Sequence, residues 1–535
     1  MSTSVTTSRK PVASAPSWVW LTAIVAGGGA LRLIGINFGS PLAIKSDEPQ
    51  LMYNVFYMFE NRTFEPDTFQ WPGHLLMQLG YLAVNVYSYV ALGMRPEDAI
   101  ALYPEGVWYP AVRAVSALFG IVAIVLAYFI GRFFGTRVGL ISAGLFAFFP
   151  YFIEHSHYAT VDMGLTTLIL GVILVSMNYL KNPVLRNAAW MGVISGASIT
   201  MKYPGALSTI LIATVIILSS VKVKRWWQIV GHGLYSLFWF GLSAFLISPA
   251  LFTNRHETIR SLFNESKTTH PGADGRNLFE RLEFYASSYV QVTGILLLIP
   301  LVFGAITVLR KRELVSAPIF FGVFYWIALS FLALFWLRWG LPMFITPLLL
   351  SAIGIERMWS WVSTTHHRWA RISLPVVGGL AAASLVFSAV AQSSLFLAKD
   401  TRVEALSYFK DRNITADTAY YEGYSPIDAG TLGKVFANFS WDGDALAPND
   451  PSKEFVVLSS GTYGRYFADE KFAEERKFYE QLETQYEETY RIEPNLYFRS
   501  SLWEPINIIE RARSIESIAT GGVSGPIIRI LDLNN

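Results

Sequence analysis

The stretch His74–Met94, HLLMQLGYLAVNVYSYVALGM, is apolar enough to pass for a membrane span, and the fold turns on whether it is one. Other apolar runs long enough, or nearly so, to cross about 30 Å of hydrocarbon lie near 18–38, 109–131, 138–154, 163–180, 187–201, 204–221, 229–252, 286–309, 315–336, 340–356 and 371–396. Their connections form two sets. Short basic turns carry Arg132 and Arg137, Lys181 and Arg186, Lys222, Lys224 and Arg225, Arg310 to Arg312, and Arg357 to Arg371. The others are longer, or hold acids, histidines and prolines. Basic turns belong on the cytoplasmic side. A full crossing by His74–Met94 would put every one of them outside, whereas a juxtamembrane or re-entrant piece leaves them all inside. We therefore read 39–108 as one outer loop whose helices lie against the membrane surface. The count becomes about eleven spans plus juxtamembrane helices, with the N-terminus inside and the C-terminal tail outside.

Composition points to the same class. Of 535 residues, 52% are hydrophobic and 15% aromatic, and the mean hydropathy is +0.37; soluble domains do not look like this. The formal charge of +2 conceals an asymmetry: from Lys399 onward 15 Lys and Arg face 23 Asp and Glu, so the tail is −8 and the remainder +10. Two domains in two environments are expected. Residues 1–17 read as a disordered cytoplasmic N-terminus, 18–397 as an α-helical polytopic membrane domain, and 398–535 as a small soluble α/β domain. In the tail, Val403–Arg412 reads as a helix and Glu454–Ser460 as a strand. Thr462–Tyr490 has helical periodicity at least over 470–486, and Pro526–Leu531 reads as a closing strand. No cysteine is present, which excludes disulfides, thiolate metal sites and a cysteine nucleophile. The run Trp18–Phe38 lacks a small-x-small cleavage pattern and is read as an uncleaved first span.

On this topology every unusual interfacial charge falls on the outer face. Ala43–Met77, AIKSDEPQLMYNVFYMFENRTFEPDTFQWPGHLLM, begins just after the first span and sets Asp47 beside Glu48. Adjacent carboxylates at a bilayer edge cost desolvation and mutual repulsion. One reading is a solvated loop; the other is a general base where a lipid-borne substrate meets water, with Asp47 as base and Glu48 holding a helix start or a cationic partner. In Glu154–Asp162, EHSHYATVD, His155 and His157 could ligate a metal or bind a phosphate, although helical i, i+4 spacing for zinc is missing. Asp162 could equally cap the span that follows. Lys202, in Thr-Met-Lys-Tyr-Pro-Gly, either snorkels to the interface or offers a cation to a lipid phosphate. Arg338, between Trp336 and Trp339, is either an aromatic-belt residue or a bidentate phosphate partner. The loop 253–285 adds Lys267 and His270 beside Pro271-Gly272.

Taken together, these stretches resemble the GT-C glycosyltransferases of the protein O-mannosyltransferase and lipid A aminoarabinose transferase type. The resemblance runs through Ser46-Asp47-Glu48, Phe64-Glu65-Pro66, Trp71-Pro72, Val112-Arg113, Phe149-Pro150 with His155 to Asp162, Met201-Lys202-Tyr-Pro-Gly and Leu337-Arg338-Trp-Gly-Leu-Pro, and covers most of 18–360. It implies inverting transfer of a sugar from a polyprenyl phosphate to an acceptor hydroxyl on the outer face of the plasma membrane. Asp47 would be the base, with Glu48 beside it, and Asp162 would shape the acceptor or metal region together with His74, His155 and His157. Lys202 and Arg338 would hold the phosphate, with His270 in a lid loop. Gln70 stands where aminoarabinose transferases carry an acidic residue implicated in metal binding, so a divalent cation is an open cofactor and not a required one. The expected partners are a polyprenyl phosphate sugar lipid, membrane lipids, and a glycan, lipid or protein acceptor, with no nucleic acid. A lipid-linked sugar flippase would instead show charges across the midplane and an inverted repeat, and neither is read here. A non-catalytic scaffold presenting the acidic tail is the other alternative.

Overall fold

The computed structural model describes residues 16–45, 47–69, 73–265, 276–332, 336–428, 437–442, 445–447, 449–467, 472–496 and 508–534. Gln70, Trp71-Pro72, Lys267, His270 and Pro271-Gly272 lie outside the described residues. After α1 (Ser17–Leu33) come α2 (Glu48–Glu60), α3 (His74–Tyr87, carried one wide turn further to Leu92) and α4 (Pro96–Leu102). Then follow α5 (Tyr109–Gly131), α6 (Thr136–Ala147), α7 (Pro150–His157), α8 (Val161–Lys181), α9 (Leu185–Met201), α10 (Ser208–Lys222) and α11 (Trp227–Ile247). The short α12 (Ala250–Thr253) and α13 (Arg255–Glu265) lead to α14 (Leu278–Thr293), α15 (Leu298–Lys311), α16 (Phe321–Ser330), α17 (Ile345–Thr364) and α18 (Arg368–Ser394).

Each of the eleven expected spans contains a helix, but two of them are broken. Phe149 precedes Pro150 and takes an extended conformation, as a residue before proline tends to, so α6 and α7 meet at 54°. The expected span 286–309 is not one rod: Gly294, at φ +80°, ends α14, and the helices on either side meet at 103°. Among the described residues, seven helices are long and apolar enough to cross a membrane, or up to nine if each bent pair is one span. Ser17–Leu33 and Leu314–Ser330 are shorter apolar helices. The chain is a multi-pass membrane protein.

Helix ends gather at two levels. At one end, α1 and α18 finish side by side: Phe38 and Phe396 have ring centroids 5.0 Å apart, and Ser393 Oγ donates to the Leu31 carbonyl at 2.8 Å. The last residue of α7 joins them, His157 stacking on Phe396 at 3.8 Å. The basic turns lie at the other end, where Phe134, Lys311 and Arg357 share a small cavity. His74–Leu92 passes the length and hydropathy test for a span, yet both ends of α3 touch the end of the bundle opposite the basic turns. His74 bonds Ser248, just beyond α11, and Gln78 Nε2 donates to the Ile247 carbonyl at 2.6 Å. Tyr87 packs edge-on against Trp108, at the start of α5. The helix therefore lies across the bundle end.

The tail is a separate small α/β unit. Its main sheet has the order β2 (Ala419–Tyr421), β5 (Phe455–Ser459), β8 (Ile528–Asp532), β6 (Glu487–Ile492), with β2 parallel to β5 and the other pairs antiparallel. The short β1 (Lys399–Asp400) pairs with β7 (Val523–Ser524), and β3 (Ser440–Asp442) with β4 (Ala445–Ala447). Helix α19 (Thr401–Asp411) packs on the sheet, Tyr408 stacking on Tyr490 at 4.2 Å. The helical periodicity of Thr462–Tyr490 resolves into α20 (Gly464–Phe467), α21 (Ala473–Gln485) and then a strand. Glu487–Ile492 leaves the helix because Tyr490 has a ring to stack on and β8 offers an edge. Helix α22 (Ile508–Ala519) completes the unit.

Candidate active site

The end of the bundle that carries α3 also collects the charged residues singled out from the sequence. Asp47 stands at the N-cap of α2 but makes no side-chain cap bond; its carboxylate is ion-paired with Arg338 Nη1, 291 positions later in the chain. Arg338 sits on the tight helical turn Leu337–Phe344 that leads into α17. Its neighbour Trp339 lies under Lys202, whose Nζ is 5.2 Å from the ring centroid. Lys202, where α9 ends, pairs with Asp162 in the first turn of α8 at 2.6 Å. So two ion pairs, drawn from four distant parts of the chain, lie beside Trp339, and the space around them is the candidate cleft. Thr160 is the N-cap of α8 and makes no side-chain cap bond, and Asp162 spends its Oδ1 on Lys202.

Glu48 is in a different environment from its neighbour. It is wholly buried and grips Arg113 of α5 through both oxygens, at 2.8 and 2.6 Å. The backbone N–H of Ala159 donates to it at 2.8 Å. Arg113 gives its remaining donors to the carbonyls of Ile36 and Phe38. Glu48 thus ties α2, α5 and the α7–α8 turn together, while Asp47 stays in the cleft.

The three histidines fare differently. His74 is fully buried; the Thr68 carbonyl must accept from its Nε2 at 2.7 Å, which leaves Nδ1 to accept from the Ser248 hydroxyl. His157 faces carbonyl oxygens of Ile153 and Ile34 with both nitrogens, at 2.8 Å each. Neither presents a nitrogen to the cleft. His155, between the rings of Tyr151 and Tyr158, keeps a buried Nδ1 with no partner. Thr160 Oγ1 and the Tyr325 hydroxyl are likewise buried and unpartnered, and Tyr325 lies within electrostatic reach of Asp162. Among the described residues no cluster of three or more histidines and acids is placed to hold a metal ion. Asp47, Glu48 and Asp162 are matched to cations, and Glu154 accepts from the Tyr158 hydroxyl.

Sequence reasoning passed over Lys45, Arg113 as partner of Glu48, and Arg32. Lys45 reaches over the Tyr158 ring, with Nζ 4.0 Å from its centroid. Burial lowers its pKa, while Glu154 raises it; burial likewise pushes the Tyr158 hydroxyl well up, with Glu154 adding to the effect. Arg32, wholly buried, donates to the Phe146 and Ala147 carbonyls and so closes the C-terminal end of α6 at its break. The signal for Lys45 was proximity, two positions from Asp47. For Arg32 it was an arginine inside an apolar span.

The tail reaches the same cleft. Arg402, forked onto Asp400, donates to the Ile44 carbonyl at 3.1 Å, which fixes the strand of loop bearing Lys45 and Asp47. Tyr424 lies within electrostatic reach of Arg338.

A family model described as dolichyl-phosphate-mannose-protein mannosyltransferase matches residues 105–250. No curated protein matches the chain. Among solved structures, the archaeal oligosaccharyltransferase AglB from Archaeoglobus fulgidus, in complex with an inhibitory peptide and a dolichol-phosphate, is similar with a TM-score of 0.53 at 14% identity, over 91% of this chain and 74% of that one. The apo form of the A. fulgidus enzyme gives 0.51 at 13%, over 92% and 75%. ArnT from Cupriavidus metallidurans in the apo state gives 0.48 at 15%, over 74% and 73%. The AglB likeness, over 91% of this chain, takes in most of the helical bundle and of the tail and shows a shared fold.

Proposed function

We propose that the protein transfers a sugar from a polyprenyl-phosphate-linked donor to an acceptor hydroxyl, with inversion at the anomeric carbon. The observation that carries this reading is the approach of two ion pairs, Asp47 with Arg338 and Asp162 with Lys202, beside Trp339 at the end of the bundle opposite the basic turns. The donor phosphate lies against Lys202 and Arg338, whose charge stabilises the leaving group more as it departs. The acceptor hydroxyl loses its proton to Asp47 while its oxygen bonds to the anomeric carbon from the face opposite the phosphate. The carbon–oxygen bond to phosphate breaks, and its electron pair leaves on the lipid phosphate. Holding acceptor and donor in line removes much of the entropic barrier.

Arg338 and Asp47 satisfy each other. An arriving phosphate takes Arg338 and frees Asp47 to act as base. Asp162 is a positioning residue that aims Lys202, and Glu48 anchors the start of α2 through Arg113. His155 offers its unpartnered Nδ1 on the acceptor side. No step is routed through a divalent cation. By the positive-inside rule the basic turns face the cytoplasm, which puts the cleft and the tail on the extracytoplasmic side of the plasma membrane. The likeness to AglB, whose structure is in complex with an inhibitory peptide and a dolichol-phosphate, supports a polyprenyl phosphate donor; the acceptor is a glycan, lipid or protein.

The test is Asp47→Asn in the full-length protein, reconstituted with a polyprenyl-phosphate-linked sugar that the wild type turns over. Loss of the base is expected to slow transfer by about 10²- to 10⁴-fold while the lipid phosphate still binds. Turnover like that of wild type in a folded Asp47→Asn protein rejects the assignment.

A further inference from the structure

Around the cleft, three cations are already matched. Arg113 is forked onto Glu48, Lys202 sits on Asp162, and Arg338 on Asp47. Lys45 is the exception. It is half-buried, and its ammonium lies over the Tyr158 ring and, among the described residues, makes no hydrogen bond or ion pair. Glu154, Arg338, Glu48 and Asp162 all lie within its electrostatic reach, and His155 faces it from α7. Glu154, the acid that acts on it most, has the Tyr158 hydroxyl as its own partner at 3.4 Å. A cation–π contact contributes about 0.5–2 kcal/mol, less than the several kcal/mol that desolvating an ion costs. An ammonium held in this way is short of an anion.

The chemistry of the donor says which anion fits. A sugar linked to a lipid through one phosphate is a phosphodiester with a single negative charge. When the bond to the anomeric carbon breaks, the phosphate becomes a monoester and gains a second charge. Arg338 and Lys202 are each paired with an acid, so their net contribution to that second charge is partly cancelled. We propose that Lys45 Nζ binds the departing lipid phosphate and meets the charge that appears as the phosphodiester becomes a monoester. This rests on the transfer reading above and adds to it a third cation whose role is largest late in the reaction. It also explains why Lys45 and Asp47 share one short loop held by Arg402: the leaving-group cation and the base are set by the same piece of backbone.

The experiment uses the full-length protein in nanodiscs and follows tryptophan fluorescence, since Trp339 lines the site. Titrants are a polyprenyl phosphate, the matching polyprenol and inorganic phosphate. Lys45→Met is expected to weaken polyprenyl phosphate binding by about tenfold or more, the size of a lost charged hydrogen bond, with polyprenol binding unchanged. Lys45→Arg should stay within about threefold of wild type because it keeps the charge, and Lys181→Met, at the far end of the bundle, should match wild type. In turnover, Lys45→Met should lower kcat more than it raises KM for the donor. Wild-type affinity in Lys45→Met, or equal loss in Lys45→Arg, overturns the proposal and leaves the transfer reading standing. If wild type itself binds polyprenyl phosphate no better than polyprenol, both fall. Displacement by an equal concentration of inorganic phosphate overturns the lipid assignment in favour of free phosphate. Should Lys45→Met not melt as wild type does, Lys45→Gln takes its place under the same criteria.

Discussion

Asp47 and Glu48 are neighbours with the same chemistry and opposite fates, and the difference is set by what surrounds each oxygen. Asp47 and Arg338 keep 20% and 27% of their side-chain surface in solvent, so water screens their attraction and the pair contributes about 1 kcal/mol or less. Glu48 and Arg113 are out of reach of water. Their desolvation is offset only because every polar atom finds a partner: both Glu48 oxygens, the Arg113 fork, and the carbonyls of Ile36 and Phe38. Breaking such a pair strands a buried charge at a cost of about 3–5 kcal/mol. Glu48→Gln is therefore expected to abolish monodisperse, folded protein on size exclusion, whereas Asp47→Asn runs as wild type. The double variant Glu48→Gln/Arg113→Met removes the stranded charge and should recover part of the loss. A double variant no better than Glu48→Gln alone would show that the ion pair is not what the fold depends on.

At the scale of elements, the sequence announced where helices are but not how they lean. Apolar runs and basic turns are local properties, so each expected span contains a helix, though two are bent pairs. Pro150 and Gly294 break two of these spans, which the sequence reads as continuous; at the 54° bend, Arg32 closes the end of α6 from more than a hundred positions away. The course of α3 was legible only through the charges around it, because its own hydropathy suits a span. Asp47 and Asp162 could be found as acids out of place, but their pairing with Arg338 and Lys202 depends on contacts 291 and 40 positions apart. Helices α15 and α17 illustrate packing that no periodicity would reveal. A Cβ on Gly304 would lie 1.8 Å from the Leu350 carbonyl oxygen, and one on Gly354 the same distance from that of Pro300. These backbones touch, and α17 is the helix entered through Arg338. Gly304→Ala must push the axes apart, an overpacking expected to cost about 1–3 kcal/mol. The check is the melting temperature of the purified protein, which should fall for Gly304→Ala and not for Ala at Gly241, where no atom lies within 4 Å.

Over the whole molecule, the tail is more than an acidic appendage, since Arg402 holds the loop that bears Asp47 and Tyr424 lies within electrostatic reach of Arg338. Its acidity and its helix and strand content could be read from the sequence, but β2 beside β5, and β8 between β5 and β6, are long-range pairings that composition does not encode. Nor does anything local mark Tyr424, which sits at φ +63°, a conformation costly for a bulky residue, in the turn that approaches Arg338. That turn begins at Glu422, fully buried and bound to the Tyr479 hydroxyl at 2.5 Å and the Ser459 N–H at 2.6 Å. Burial outweighs those bonds and raises the Glu422 pKa from 4.5 to about 8. The sign of the linkage follows: between these two values the folded tail holds a proton that the unfolded chain has released. Stability is thus greatest below about pH 4.5, falls as pH rises, and levels off above about 8, with a slope of up to about 1.4 kcal/mol per pH unit from this group. Glu422→Gln removes the ionisation. Melting curves of the full-length protein between pH 5 and 8 should show wild type losing stability relative to Glu422→Gln as pH rises. Parallel curves would mean that Glu422 is ionised in the folded tail, and that the turn carrying Tyr424 is anchored by a carboxylate rather than by an acid.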